Sequence, residues 1–167
     1  MSGGGAKAYR GSAANQTLEG VDLGVLGESV GPVIRQLRNQ LVVRIVQAFD
    51  RFDLRSGSFS TMALIAANPG CAQSDISRET GLDKSVVVAL VDELEQRGLA
   101  SRARSQDDRR RNILTLTPAG EAILAEMTAV VQDVERPIRE AMTEDELETM
   151  IRLNRKALQT LLAANAD

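Results

Sequence analysis

A chain of 167 residues, 43% of them hydrophobic, is long enough for one ordinary domain or for a small domain with an assembly arm. Three Phe, one Tyr and no Trp leave the core to Leu, Ile, Val, Ala and Met, the material of helix packing, which argues against an all-β sandwich. The 20 basic and 23 acidic side chains sum to −3; the absence of histidine removes the commonest metal ligand and general base, and a single cysteine, Cys71, excludes an internal disulfide.

Residues 1–28 are read as a flexible arm. The first sixteen (MSGGGAKAYRGSAANQ) have no periodic apolar signal and are expected to be disordered, and the piece that follows, with Leu18, Val21, Leu23, Val25 and Leu26, is broken by glycines. Nothing near the start has the apolar run of a signal peptide or a membrane span, so a cytoplasmic protein with no membrane partner is expected. From about Ser29 the spacing becomes helical: Val30, Ile34, Leu37, Leu41, Ile45, Phe49 and Phe52 lie mostly three or four apart through Leu54, and Gly57 is expected to end the helix.

Phe59 to Ala66 reads as a short apolar helix closed by the Asn68-Pro69-Gly70 turn, and Gln73 to Thr80 as a second one ended by Gly81. Asp83 is a suitable N-cap for a helix running from Lys84 to about Arg97. Two helices joined by a tight glycine turn predict a helix-turn-helix. At about 100° per residue, Val87, Leu90, Val91 and Leu94 fall in one apolar sector, while Lys84, Ser85, Val88, Ala89 and Asp92 face the other way.

Leu99–Arg104 and Asn112–Leu116 alternate in character and flank the charged tip SQDDRRR, which predicts a β hairpin. Arg97 to Arg111 contains six arginines against two acids, a local +4 on a chain of −3. That concentration reads as a phosphate footprint, the alternative being charge that protects a hairpin edge from pairing. Thr117-Pro118 then opens a long helix whose apolar residues, Ile123 to Val134, run to Pro137, and a Thr143-x-x-Glu146 capping box opens the last, with Leu147, Met150, Ile151, Leu158, Leu161 and Leu162 along it. Three long helices exceed what a winged module needs, and their surplus apolar faces predict a homodimer. The expected organisation is a helical dimerisation region from 29–56 and 118–167 around a winged helix-turn-helix at 57–117, a mainly α fold with a small β wing.

Glu93 with Glu95, and Glu144 with Glu148, sit on helix-patterned segments and read as solvated faces, not catalytic acid pairs, so neither an enzyme nor a metal or cofactor site is expected.

The ordered set of NPG at 68–70, the LDKS…LVDELEQRGL run at 82–99, and DDRRRNILTLTPAG at 107–120 resembles the MarR family of bacterial winged-helix transcriptional regulators over about Val30 to Leu162. The resemblance implies a homodimer whose first and last helices intertwine, with each winged domain reading half of a palindromic double-stranded operator. It further implies a repressor of aromatic-compound catabolism, efflux or stress genes, released by a small aromatic or acyl-thioester (aryl-CoA) effector, or in some members by oxidants. In such wings the Asp orients an Arg two positions on that enters the minor groove, which here means Asp108 and Arg110, with Arg104, Arg109 and Arg111 beside them. The reading helix departs from the pattern, with Val86, Val88 and Ala89 where many relatives carry Thr or Arg. Lys84 and Ser85 remain as its hydrogen-bonding groups, and Val88 and Ala89 suit thymine methyls.

Arg35 and Arg38 sit on the polar side of the first long helix, either facing water with Arg44 or binding an anionic effector. Cys71 reads as a small core thiol, with a redox sensor as the alternative. A winged-helix protein-interaction module that has lost DNA binding is the rival function, suggested by the apolar reading helix and opposed by the arginine cluster.

Overall fold

The computed structural model describes residues 24–27, 29–104 and 112–164. Most of the N-terminal arm and the wing tip therefore lie outside the described residues. The chain falls into two compact units divided within the first helix, 1–43 and 44–167. That helix, α1 (Val30–Phe49), ends sooner than its apolar spacing predicts: Asp50–Phe52 forms one 3-10 turn, and Asp53 stops it in the left-handed conformation at φ 51°. Phe52 follows Phe49 by three residues, a spacing that suits either helix type. Its ring is buried edge-on against Phe49, centroids 5.8 Å apart.

Gly57, expected to end the first helix, instead starts the second. It precedes α2 (Ser58–Ala67) at φ 97°, a value that favours glycine. The helix-turn-helix consists of α3 (Gln73–Thr80) and α4 (Lys84–Gln96), joined through Gly81 at φ 69°. Side chains lock the turn: the Ser77 hydroxyl donates to the Leu82 carbonyl at 2.7 Å, and the Leu82 amide donates to the Thr80 hydroxyl at 3.3 Å.

An antiparallel hairpin follows, β1 (Ala100–Arg104) paired with β2 (Asn112–Leu116), with Ala100 opposite Leu116, Arg102 opposite Leu114 and Arg104 opposite Asn112. Cys71 adds a bridge on the other edge of β2, where Gly70 and Cys71 exchange backbone hydrogen bonds with Leu114. Two apolar clusters hold the module together. Phe52, Met62, Leu94, Leu99 and Met127 form one, and Ile65, Ile76, Val87, Val91 and Leu114 the other, so the four apolar residues of α4 are divided between them or, like Leu90, buried beside them.

The long helix α5 (Pro118–Glu140) begins as its sequence predicts, with Pro118 at the first position and the Thr117 hydroxyl accepting from the Gly120 amide at 3.1 Å. It does not stop at Pro137. The ring sits within the last turn, where the helix runs one further step and the Ala141 amide donates to the Pro137 carbonyl. The capping box of α6 (Glu144–Ala164) is formed: the Thr143 amide donates to Glu146 at 2.9 Å and the Glu146 amide to the Thr143 hydroxyl at 3.3 Å. The Thr143 amide, and its hydroxyl at 3.0 Å, donate to the Glu146 carboxylate and hold it below its ordinary pKa. The expected mainly helical fold with a small β wing is the one observed.

Candidate nucleic-acid interface

With Val87, Leu90, Val91 and Leu94 buried, the sector of α4 turned away from the core carries the residues the spacing predicts: Lys84, Ser85, Val88 and Asp92 are exposed and Ala89 is half-buried. Val86 joins them at the edge of that face, as exposed as Val88. The expected cap is absent. Asp83 makes no side-chain bond to the first turn; its backbone carbonyl alone takes part, accepting from the Val87 amide at 3.0 Å. The first turn of α4 holds no acid and opens on Lys84, so its amides and its cation are both directed to whatever meets that end.

The arginines of the hairpin region do not act alike, and two of the six are not free for phosphate. Arg102, half-buried on β1, bridges Asp92 at 2.6 Å and Glu95 at 3.1 Å, tying the wing to the reading helix. Arg97, at the end of α4, donates to the backbone carbonyls of Phe52, at 3.0 Å, and Asp53. A count along the sequence includes both because their partners lie 10 and 45 residues away. The third acid of α4, Glu93, pairs with Arg55 at 3.1 Å. Each of the three carboxylates of the helix therefore has an arginine partner, Arg102 serving two of them, which reduces the negative charge that the outward face would turn to a polyanion. Arg104 is exposed at the tip end of β1. Asp108, Arg109, Arg110 and Arg111 lie outside the described residues.

Of the effector residues expected on α1, Arg35 and Arg38 are exposed in the first unit. The second unit contains an open hollow of about 350 Å³, lined by Ile45, Val46, Phe49, Leu54, Gly57 and Phe59, among others. Sequence reading missed it because its aromatic wall is assembled from the end of α1, the 3-10 turn's exit and α2. Cys71 is half-buried, and burial, with Asp75 nearby, pushes its thiol pKa above the ordinary value. Among the described residues no helix is long and apolar enough to cross a membrane.

A helix-turn-helix whose second helix leads directly into a β hairpin is a winged helix, the class of fold that reads duplex DNA with that helix and its wing. A sequence profile for the MarR family matches residues 52–111. A candidate transcriptional regulatory protein for the hcr operon of Thauera aromatica is 30% identical over 155 residues, 88% of this chain and 89% of its own. The transcriptional repressor CouR, bound to a 23-mer DNA duplex, is 33% identical with a TM-score of 0.62, covering 88% of this chain and 99% of that one. CouR from Rhodococcus jostii RHA1 bound to p-coumaroyl-CoA is 26% identical with a TM-score of 0.68, covering 80% and 92%. The chain belongs to the MarR family: it is a DNA-binding transcriptional regulator of the winged helix-turn-helix type.

Proposed function

We propose that the protein is a cytoplasmic, homodimeric repressor that binds a palindromic operator and is released by a small aromatic compound or its coenzyme A thioester. The observation that carries this reading is the outward face of α4, where arginine pairing of Asp92, Glu93 and Glu95 leaves Lys84, Ser85, Val88 and Ala89 to enter the major groove. Arg104, Arg109, Arg110 and Arg111 supply phosphate and minor-groove contacts, with Asp108 orienting Arg110. Residues 29–56 and 118–167 form the dimerisation region, and residues 57–117 read the DNA.

The effector class is supported by the p-coumaroyl-CoA complex of CouR from Rhodococcus jostii RHA1 and by the hollow beside Phe49, Leu54 and Phe59, which offers ring contacts. Arg35 or Arg38, exposed on α1, is proposed separately as a partner for an anionic effector. The raised pKa of Cys71 keeps its thiol protonated at neutral pH and counts against oxidant release.

The test is a gel-shift titration with DNA flanking the protein's own gene, between roughly 50 and 200 mM salt, with and without p-coumaroyl-CoA. Expected are sequence-selective, salt-sensitive binding, release by the thioester, and a loss of about 1 to 3 kcal/mol in Arg110→Ala. Binding without sequence selectivity would leave the operator reading without support; binding that the thioester and simple benzoates leave untouched would remove the effector.

A further inference from the structure

The middle of the reading helix has no hydrogen-bonding group to offer a base edge. Going round α4 from Ser85, its outward residues are Val88, Ala89 and Asp92, and Asp92 is engaged by Arg102 at 2.6 Å. On either side of Ala89 stand Val86 and Val88, each 41% exposed although Val87 between them is fully buried. β-Branched side chains are among the weaker helix formers, and nothing in the packing of the core requires two of them here. A helix that enters the major groove with apolar branched side chains finds one apolar feature there, the 5-methyl group of thymine.

We infer that Val86 and Val88 are specificity-determining residues that recognise pyrimidine 5-methyl groups, so that this protein reads part of its operator by methyl contact and not by hydrogen bonds. The inference rests on the proposed docking of α4 in the major groove. It names a chemistry the four bases do not share: thymine carries the methyl, uracil and cytosine do not, and 5-methylcytosine does. Apolar contact ignores whether the neighbouring exocyclic group donates or accepts, so a methylated cytosine should replace thymine in part where no hydrogen-bonding reader would tolerate it.

The experiment starts from duplexes selected by the full-length protein out of a random pool. Each half-site is then resynthesised with deoxyuridine for thymidine, which removes the methyl and leaves every hydrogen-bonding group, and separately with cytosine or 5-methylcytosine at the same positions. Wild-type protein should bind the deoxyuridine duplex about fourfold more weakly per contacted methyl, the factor expected when one methyl-sized group is not withdrawn from water, and therefore more than tenfold for a palindrome. It should prefer 5-methylcytosine over cytosine by a similar factor. In Val86→Ser/Val88→Ser both ratios should fall to about one; serine has comparable helix propensity and neither valine is in the core, and Val88→Ser alone serves if the double variant folds poorly. Equal affinity of the wild type for thymidine and deoxyuridine duplexes overturns the inference, as does an equal loss in wild type and serine variants, which would place the methyl effect in DNA shape. Failure to select any sequence would remove the docking on which it rests, and this inference with it.

Discussion

An ideal Cβ on Gly120 would lie 1.9 Å from the carbonyl oxygen of Leu99, a backbone atom that cannot rotate away. That carbonyl already accepts from the Thr117 amide at 3.1 Å, while the Thr117 hydroxyl donates to the Gly98 carbonyl at 2.6 Å, so the start of α5 is fastened to the turn between α4 and β1 at atomic contact. Gly120→Ala should therefore destabilise the fold by about 3 kcal/mol, the upper end for overpacking, whereas Gly70→Ala, with open space but φ 88°, should lose about 1 kcal/mol. Denaturant midpoints of the two variants check this, and equal losses would show that the contact is not rigid. At Cys71 the raised thiol pKa makes a second prediction. The protonated form is favoured by folding, so the associated stability is present below the thiol's unfolded-state pKa and is lost as pH rises through the higher folded one. At neutral pH the native protein should alkylate with iodoacetamide more slowly than the denatured protein, and Cys71→Ser should respond to effector as wild type does. Rapid native alkylation, with peroxide release of DNA that serine abolishes, would reinstate the redox alternative.

Between elements, the segment leaving α1 forms a wall shared by the hollow and the reading helix. Leu54 faces the hollow, Arg55 pairs with Glu93 of α4, and Arg97 at the end of α4 clasps the carbonyls of Phe52 and Asp53. A ligand that moves this wall pulls on the reading helix through those contacts, a route by which occupancy would bias DNA affinity. Arg97→Ala should cost about 1 to 2 kcal/mol of stability, at the low end for charged hydrogen bonds because the side chain is partly exposed, and should weaken the effect of ligand on operator binding. Its salt dependence should stay at the wild-type slope. Loss of a phosphate contact would instead shallow that slope by about 0.9, and such a result would return Arg97 to the DNA surface. The same contacts mark what was legible in the sequence. Periodicity and cap residues located the six α-helices of the described residues, because those signals are local: Thr117-Pro118, Thr143 with Glu146, and the buried face of α4 all appear where they were expected. The errors arose where a local signal has two outcomes. Phe52 fits a 3-10 turn as well as an α-helix, Gly57 opens a helix as readily as it closes one, and Asp83 forms no side-chain cap. The charge count that reads as a phosphate footprint includes Arg97 and Arg102 for a related reason: nothing in a run of arginines reveals which of them the fold itself consumes.

Across the whole molecule the apolar surface is distributed unevenly. In α6 no described residue is buried, and Leu158, Leu161 and Leu162 are 57%, 65% and 60% exposed; in the first unit Val30, Val33, Ile34 and Val43 of α1 are also exposed. Aliphatic stripes of this length on helices are a surface to be covered, and the proposed dimer would cover them with the same helices of a second copy. A standard interface of roughly 1,600 Å² at about 25 cal/mol per Å² gives ample gross stabilisation to offset association. Leu161→Asp would bring an unpaired carboxylate into that seam. The variant should sediment as a monomer, or unfold, at micromolar concentration where the unmutated chain is expected to sediment as a dimer, and Leu161→Met should retain the dimer because it conserves volume and polarity. The functional consequence follows from geometry. A dimer binds its second half-site at the high effective concentration set by the first, so a folded Leu161→Asp monomer should lose most of its preference for a palindrome over a single half-site while keeping the half-site affinity of each winged domain. An unmutated chain that sediments as a well-folded monomer would remove the dimer, and with it the palindromic operator.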